Sequence, residues 1–193
     1  MSTGLIIALI VVGVVVVVAA GLFAARTAPR GGHGLKRRFG PEYDRAVARH
    51  DGDAKAAEHE LAERVRIHGS LREQPLEPAA RARYQERWAD AQERFVESPA
   101  EAVAEADLIL ADLAKERGFP DGSRYDEQFA ALSVHHGPQV HGYRRVHRAA
   151  ETRDGGTEEM RTAMVEARAL FHVLVGSDRT AGHALKGRTT KGN

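Results

Sequence analysis

The chain has 193 residues, room for one modest domain once an apolar N-terminal run and a polar C-terminal stretch are set aside. Its 28 basic and 27 acidic side chains nearly cancel to a formal net charge of +1, so no surface built to neutralise phosphates, and no nucleic-acid partner, is expected. There is no cysteine, which excludes disulfides, thiolate metal sites and thiol nucleophiles.

The first element runs from Leu5 to Ala25 without a charged residue, and from Leu5 to Val18 it is almost wholly Leu, Ile and Val. At 1.5 Å rise per residue about 20 residues cross a hydrocarbon core of roughly 30 Å, and in lipid a single segment pairs its own peptide groups only as a helix. A cleaved signal peptide fits less well. Met-Ser-Thr-Gly ahead of the run carries no side-chain charge, and the small triplet Ala19-Ala20-Gly21 lies inside it. Residues 5–25 therefore read as an uncleaved transmembrane helix, with the lipid bilayer of the cell membrane as partner.

Orientation is set by the flanks. Arg26, Arg30, Lys36, Arg37 and Arg38 all come before the first acid, Glu42, while only the α-amino group lies on the other side. The positive-inside rule then places the N-terminus outside and the remainder in the cytoplasm. Lys36, Arg37 and Arg38 also suit anionic lipid head groups, at ~1 kcal/mol per charge near the surface. Gly4/Ala8 and Gly21/Ala25 have the small-xxx-small spacing that supports helix pairing, so a homodimer is open, as is simple lipid-facing filler.

Residues 26–40 are rich in Gly, Pro and basic side chains and read as a flexible linker. Pro41 opens a helix that Asp51-Gly52-Asp53 interrupts. A second, highly charged helix is expected from about Ala54 to His68, with only Ala57, Leu61 and Val65 as an apolar row and Glu60/Arg64 as an i,i+4 pair. So thin a stripe makes residues 41–71 a charged stalk, either packed on the downstream helices or projecting from them.

The core lies between residues 78 and 175. Ala80, Tyr84, Trp88, Ala91 and Phe95 form one face of a helix. Ser98-Pro99-Ala100-Glu101 has the form of a capping box and starts a helix striped by Ala102/Val103, Ala106, Ile109/Leu110 and Leu113. Pro120-Asp121-Gly122 turns the chain, and a short helix around residues 126–134 turns Phe129 and Leu132 inward. After Gly137-Pro138 comes a helix carrying Val140, Tyr143, Val146 and Ala150. Thr157 then N-caps a last helix striped by Met160, Met164, Ala167, Phe171 and Leu174. No segment alternates as a strand does. The expected fold is all-α: one N-terminal transmembrane helix, then a small antiparallel bundle of four or five helices at 78–175, then a disordered basic tail at 176–193.

Chemistry-bearing patterns are few. His59-Glu60-Leu61-Ala62-Glu63 starts like the zinc-protease motif, but Glu63 stands where the second histidine belongs, which favours a solvated face. His135, His136, His141 and His147 cluster around Gly137-Pro138, and a loop gathering His135, His136 and His141 on one ion is the only metal arrangement in view. No nucleophile elbow or nucleotide-binding glycine loop occurs, so no cofactor is expected. Two charged rows stand out. His141, Arg144, Arg145 and Arg148 are basic; Glu97, Glu101, Glu105 and Asp112 are acidic. Each is either the solvated face of its helix, the two facing one another within the bundle, or a dock for a partner or anionic lipid.

Two segments carry a resemblance. Arg38-Phe39-Gly40-Pro41-Glu42-Tyr43-Asp44-Arg45 just after a single span is one; the other is Arg83-Tyr84, Trp88, Gln92, Arg94-Phe95-Val96, Pro99 and Glu105-Ala106-Asp107. Over most of residues 38–175 the chain resembles a family of uncharacterised bacterial membrane-anchored proteins, often labelled hypothetical or secreted. That resemblance implies an architecture and no activity. The flanking charges argue against the secreted label. The expectation is a membrane-tethered cytoplasmic interaction module without catalytic activity, its partner or lipid contacts including Arg37, Arg38, His141, Arg144, Arg145 and Arg148. The alternative is a metal- or ligand-binding or enzymatic domain using the His135–His147 region.

Overall fold

A computed structural model describes residues 33–152 and 156–176. The transmembrane helix expected at 5–25, most of the linker and the tail from 177 onward lie outside these residues. Among the described residues there are eight α-helices, one 3-10 turn and no strand, and no helix is long and apolar enough to cross a membrane.

The helices are α1 (His33–Phe39), α2 (Pro41–Arg49), α3 (Ala54–His68), α4 (Pro78–Arg94), α5 (Pro99–Glu116), α6 (Tyr125–His135), α7 (Val140–Thr152) and α8 (Thr157–Val175). Helices α4, α5, α7 and α8 form the bundle, with α7 and α8 sharing the most extensive interface. Their apolar stripes supply one continuous core that includes Tyr84, Trp88, Ile109, Leu110, Leu113, Tyr143, Met160, Phe171 and Leu174. Trp88 and Phe171 stack at its centre, ring centroids 4.5 Å apart. Helices α7 and α8 approach so closely at Gly142 that a Cβ there would meet the α8 backbone at Glu166 and, at 2.6 Å, the Ala167 nitrogen.

Helix α6 packs against α1, α3, α5 and α7 and is fixed by Gln128, which is fully buried. Its amide donates to the carbonyls of Ala111 at 3.0 Å and Pro120 at 2.7 Å, and its oxygen accepts from the Tyr143 hydroxyl at 2.7 Å. Both ends of this buried amide are thereby satisfied.

Two local expectations need correction. Ser98 precedes α5 with Pro99 at the first helical position, but its side chain makes no capping bond; its carbonyl accepts from Ala102 N at 3.0 Å instead. Gly156, not Thr157, occupies the position before α8. A side-chain cap does start α3: Asp53 accepts from Lys55 N at 2.9 Å and Ala56 N at 3.1 Å.

The larger differences concern residues 33–71. The C-terminal half of the expected linker is helix α1, because Leu35 and Phe39 are one turn apart and both bury. The expected stalk does not project. Ala46, Ala57 and Leu61 are fully buried and join Leu35, Phe39 and Val134 of α6 in a second core cluster. The apolar stripe of α3 is indeed thin. It suffices because α1 and α2 cover it and because ion pairs fasten its polar face.

Candidate functional site

The feature that binds α1–α3 to the bundle is a buried carboxylate. Glu42, on the first turn of α2, has no solvent exposure. Taking a carboxylate out of water costs several kcal/mol unless charge and hydrogen bonds replace the lost solvent. Three arginines do so at its Oε1: Arg144 of α7 at 2.6 Å, Arg49 of α2 at 3.3 Å and Arg64 of α3 at 3.5 Å. Oε2 and the buried Nη1 of Arg45 have no hydrogen-bond partner in the protein.

The network continues into Glu60, which pairs with Arg49 at 3.0 Å, with Arg64, and with His50 Nε2 at 2.8 Å. Burial pushes the Glu60 carboxyl up, but the bond from His50 and the charges of Arg64 and Arg49 outweigh it and hold it below the usual range. Glu60 is therefore committed to ion pairs and is not poised as a base beside His59. Arg144 also lies over the Phe129 ring, 4.3 Å from its centroid, so its guanidinium is held from both sides.

Close packing completes the junction. Gly137 lets the α6–α7 elbow lie against α1: a Cβ there would strike the Arg38 carbonyl and come within 2.7 Å of Phe39 Cα. Arg38 Nε donates to the Val134 carbonyl at 3.0 Å, and Pro138 packs 3.6 Å from where a Gly40 Cβ would be. Gly40 has φ +55, the left-handed region that lets the chain turn from α1 into α2.

A second arrangement lies where α5, α6 and α7 meet. His147 Nδ1 donates to Asp107 Oδ2 at 2.9 Å, and its ring stacks on Tyr125 with centroids 3.6 Å apart and planes 10° from parallel. The bond to Asp107 raises the His147 pKa above its usual value despite burial. The imidazole lines an open cleft of about 610 Å³, with Ser123, Arg124, Asp126, Glu127 and Glu151; its Nε2 stands 3.6 Å from Glu151 Oε1. A histidine oriented through Nδ1 is suited to proton exchange or hydrogen bonding at Nε2. Burial pushes the Tyr125 phenol up.

The third cluster straps the loop before α4 onto the bundle. Buried Arg117 donates to Glu73 and to the Gln74 carbonyl, and Gln74 N donates to the Arg117 carbonyl at 2.8 Å. His136 Nε2 lies 3.0 Å from Glu73 Oε1. The His136 imidazole first, and Arg117 second, draw the Glu73 carboxyl down to about 2, against the effect of burial.

These contacts disperse the histidine cluster. His135 Nε2 meets the His68 carbonyl at 2.9 Å, His136 faces Glu73, and His141 Nδ1 meets the Pro138 carbonyl at 3.0 Å. Among the described residues no group of three His, Asp or Glu side chains is arranged to hold a metal.

The basic row on α7 is also divided. Arg144 turns inward to Glu42, Arg145 pairs with Glu166 at 3.2 Å, and Arg148 is exposed. Arg37 and Arg38 are exposed on α1. The acidic row does not face α7. Glu105 and Asp112 clamp Arg87 of α4, at 2.9 and 3.1 Å. Sequence reasoning missed both Glu42 and the Asp107–His147 pair, because their partners lie 102 and 40 residues away.

Comparison with protein-family models, with curated proteins and with solved structures found no match. Fold and junction together describe an all-α bundle with an N-terminal helical lobe fastened by a buried carboxylate, close backbone packing and a shared apolar cluster.

Proposed function

We propose that the chain is a membrane-tethered interaction module: a helical domain held on the cytoplasmic side of the cell membrane by residues 5–25, presenting helix faces to a protein partner, without catalysis. The observation that carries this reading is the position of α1. Only residues 26–32 separate the apolar run from a helix whose Leu35 and Phe39 are buried in the domain. At ~3.6 Å per residue this tether extends at most about 25 Å, so a domain on such an anchor works near the membrane surface. Several ionic groups support the same reading, because Glu42, Glu60, Arg144 and Arg87 are engaged in holding helices together.

Membrane fractionation followed by intact mass tests it. The full-length chain should resist alkaline extraction and retain its N-terminus, whereas a soluble chain starting near Leu22 contradicts it. Capture of a defined protein from native membranes by the anchored chain, lost when the bundle is unfolded, identifies the partner.

One observation favours a second reading, a ligand-binding domain using the His135–His147 region: His147 is oriented by Asp107 on the wall of an open cleft. A ligand that shifts the His147 imidazole resonances, and fails to do so after Asp107→Asn, would establish it.

A further inference from the structure

The junction around Glu42 brings together basic residues that the sequence keeps apart. Lys36, Arg37 and Arg38 are exposed on α1. The Arg38 carbonyl lies against Gly137, Pro138 packs against Gly40, and Pro138 in turn accepts from His141 Nδ1 at 3.0 Å. One turn further along α7, Arg145 is also exposed. Helix α1, the α6–α7 elbow and the start of α7 thus make one continuous surface. Its cations are Lys36, Arg37, Arg145 and Arg38, whose Nε also donates to the Val134 carbonyl at 3.0 Å. The carboxylates facing them are Asp44, 3.0 Å from Lys36, and Glu166, 3.2 Å from Arg145 and 3.7 Å from His141. The Lys36–Asp44 pair is well exposed, so it screens its cation weakly and exchanges readily for other anions, while Arg145 is half exposed beside a more buried Glu166.

We infer that this face, α1 with the Gly137-Pro138 elbow and the first turns of α7, lies against anionic lipid head groups and fixes the domain in one orientation on the bilayer. The inference rests on the anchor reading above and deepens it. The occupant is indicated by how close this face lies in sequence to the apolar run. Helix α1 starts at His33, and only residues 26–32, with two more arginines, separate it from the apolar run. Because α1 is clamped by Leu35 and Phe39, the short tether delivers this face to the membrane rather than a loose helix. Basic residues within a Debye length of a negatively charged leaflet are drawn to it, and the attraction fades with added salt.

The absence of cysteine makes the test direct. Single variants Gly34→Cys, Pro138→Cys and Val96→Cys of the full chain are labelled with an environment-sensitive fluorophore. Gly34 has open space around it, Pro138 is exposed on the elbow, and Val96 is 86% exposed at the α4–α5 turn. Each is reconstituted into vesicles of phosphatidylcholine alone, or with phosphatidylglycerol, carrying a head-group quencher. The expected result is several-fold stronger quenching at positions 34 and 138 than at 96 in the anionic vesicles. That contrast should fall in neutral vesicles, in high salt, and in Lys36→Gln/Arg37→Gln.

Equal quenching at all three sites overturns the orientation, as does quenching that ignores lipid charge, which would leave proximity to the tether alone. A chain that floats with vesicles but shows no quenching at 34 or 138 overturns this inference and leaves the anchor standing. A chain that fails to float with vesicles removes the anchor and the inference with it.

Discussion

Glu42 and Arg144, 102 residues apart in the chain, meet at 2.6 Å in the interior where α2 crosses α7. The contact joins the N-terminal helices to the bundle, and Arg49 and Arg64 converge on the same oxygen. Removing one partner of a buried pair costs more than the pair contributes, because the other charges are left without compensation. Glu42→Gln should therefore destabilise the domain by roughly 2–4 kcal/mol, below the upper end for fully buried pairs because Arg49 is partly exposed. Arg144→Ala should cost less, since Arg49 and Arg64 remain. A double-mutant cycle by urea unfolding should give a coupling of at least ~1 kcal/mol; additive losses would show that the pair is incidental.

Two glycines separate the two interfaces. Gly137→Ala drives a methyl into the α1 backbone, and Gly142→Ala drives one into α8. Helix propensity alone favours Ala over Gly by about 1 kcal/mol, so a loss at Gly142 isolates the packing effect. Gly142→Ala should lower the melting temperature of the whole domain. Gly137→Ala should instead raise hydrogen exchange in residues 33–49 while leaving α5 and α8 protected. Uniform exchange in both variants would contradict the separation.

Glu73 and His147 contribute to the pH response with opposite sign. Glu73 is held at about 2 in the fold by His136 and Arg117, below its unfolded value of 4.5. Its contribution is present above pH 4.5 and is lost as pH falls toward 2. His147 is raised above 6.5 by Asp107, so its contribution is present below pH 6.5 and is lost as pH rises through the folded value. Melting temperatures across pH 2–9 should show the acid loss diminished in Glu73→Gln. NMR titration should place His147 above 6.5 and return it toward 6.5 in Asp107→Asn. An unshifted His147 in the parent chain would contradict the contact.

Trp88 is the only tryptophan, is 4% exposed and stacks on Phe171. Its emission should be blue-shifted and move to the red in a single transition on unfolding. Trp88→Ala should cost about 3–5 kcal/mol, the usual range for deleting a buried aromatic. A red emission in the folded chain would place the residue outside the core.

The bundle was legible because its signals are local and periodic. Ala80, Tyr84, Trp88 and Ala91 lie on one face in the sequence and all bury; so do Met160, Met164, Ala167, Phe171 and Leu174. The lobe at 33–68 was not legible for the opposite reason. Leu35 and Phe39 are two apolar residues among glycines and cations, and the burial of Phe39 depends on residues from Ala46 to Val134. Glu42 gave no sign in the sequence, since a carboxylate at a helix start is ordinarily solvated and favoured there by the helix dipole. Ser98 erred in the other direction: its pattern matched a capping box, but its backbone, at φ −138 and ψ 74, makes no side-chain cap. The histidine cluster was close in sequence and divided in space, because Gly137-Pro138 turns the chain between its members.

The proposal that residues 5–25 anchor a cytoplasm-facing domain is tested most directly by labelling Val96→Cys in intact cells with a membrane-impermeant maleimide. The expected result is no labelling until the membrane is permeabilised, with the chain in the membrane fraction after alkaline extraction. Labelling in intact cells, or release of the chain into the soluble fraction, would contradict the account.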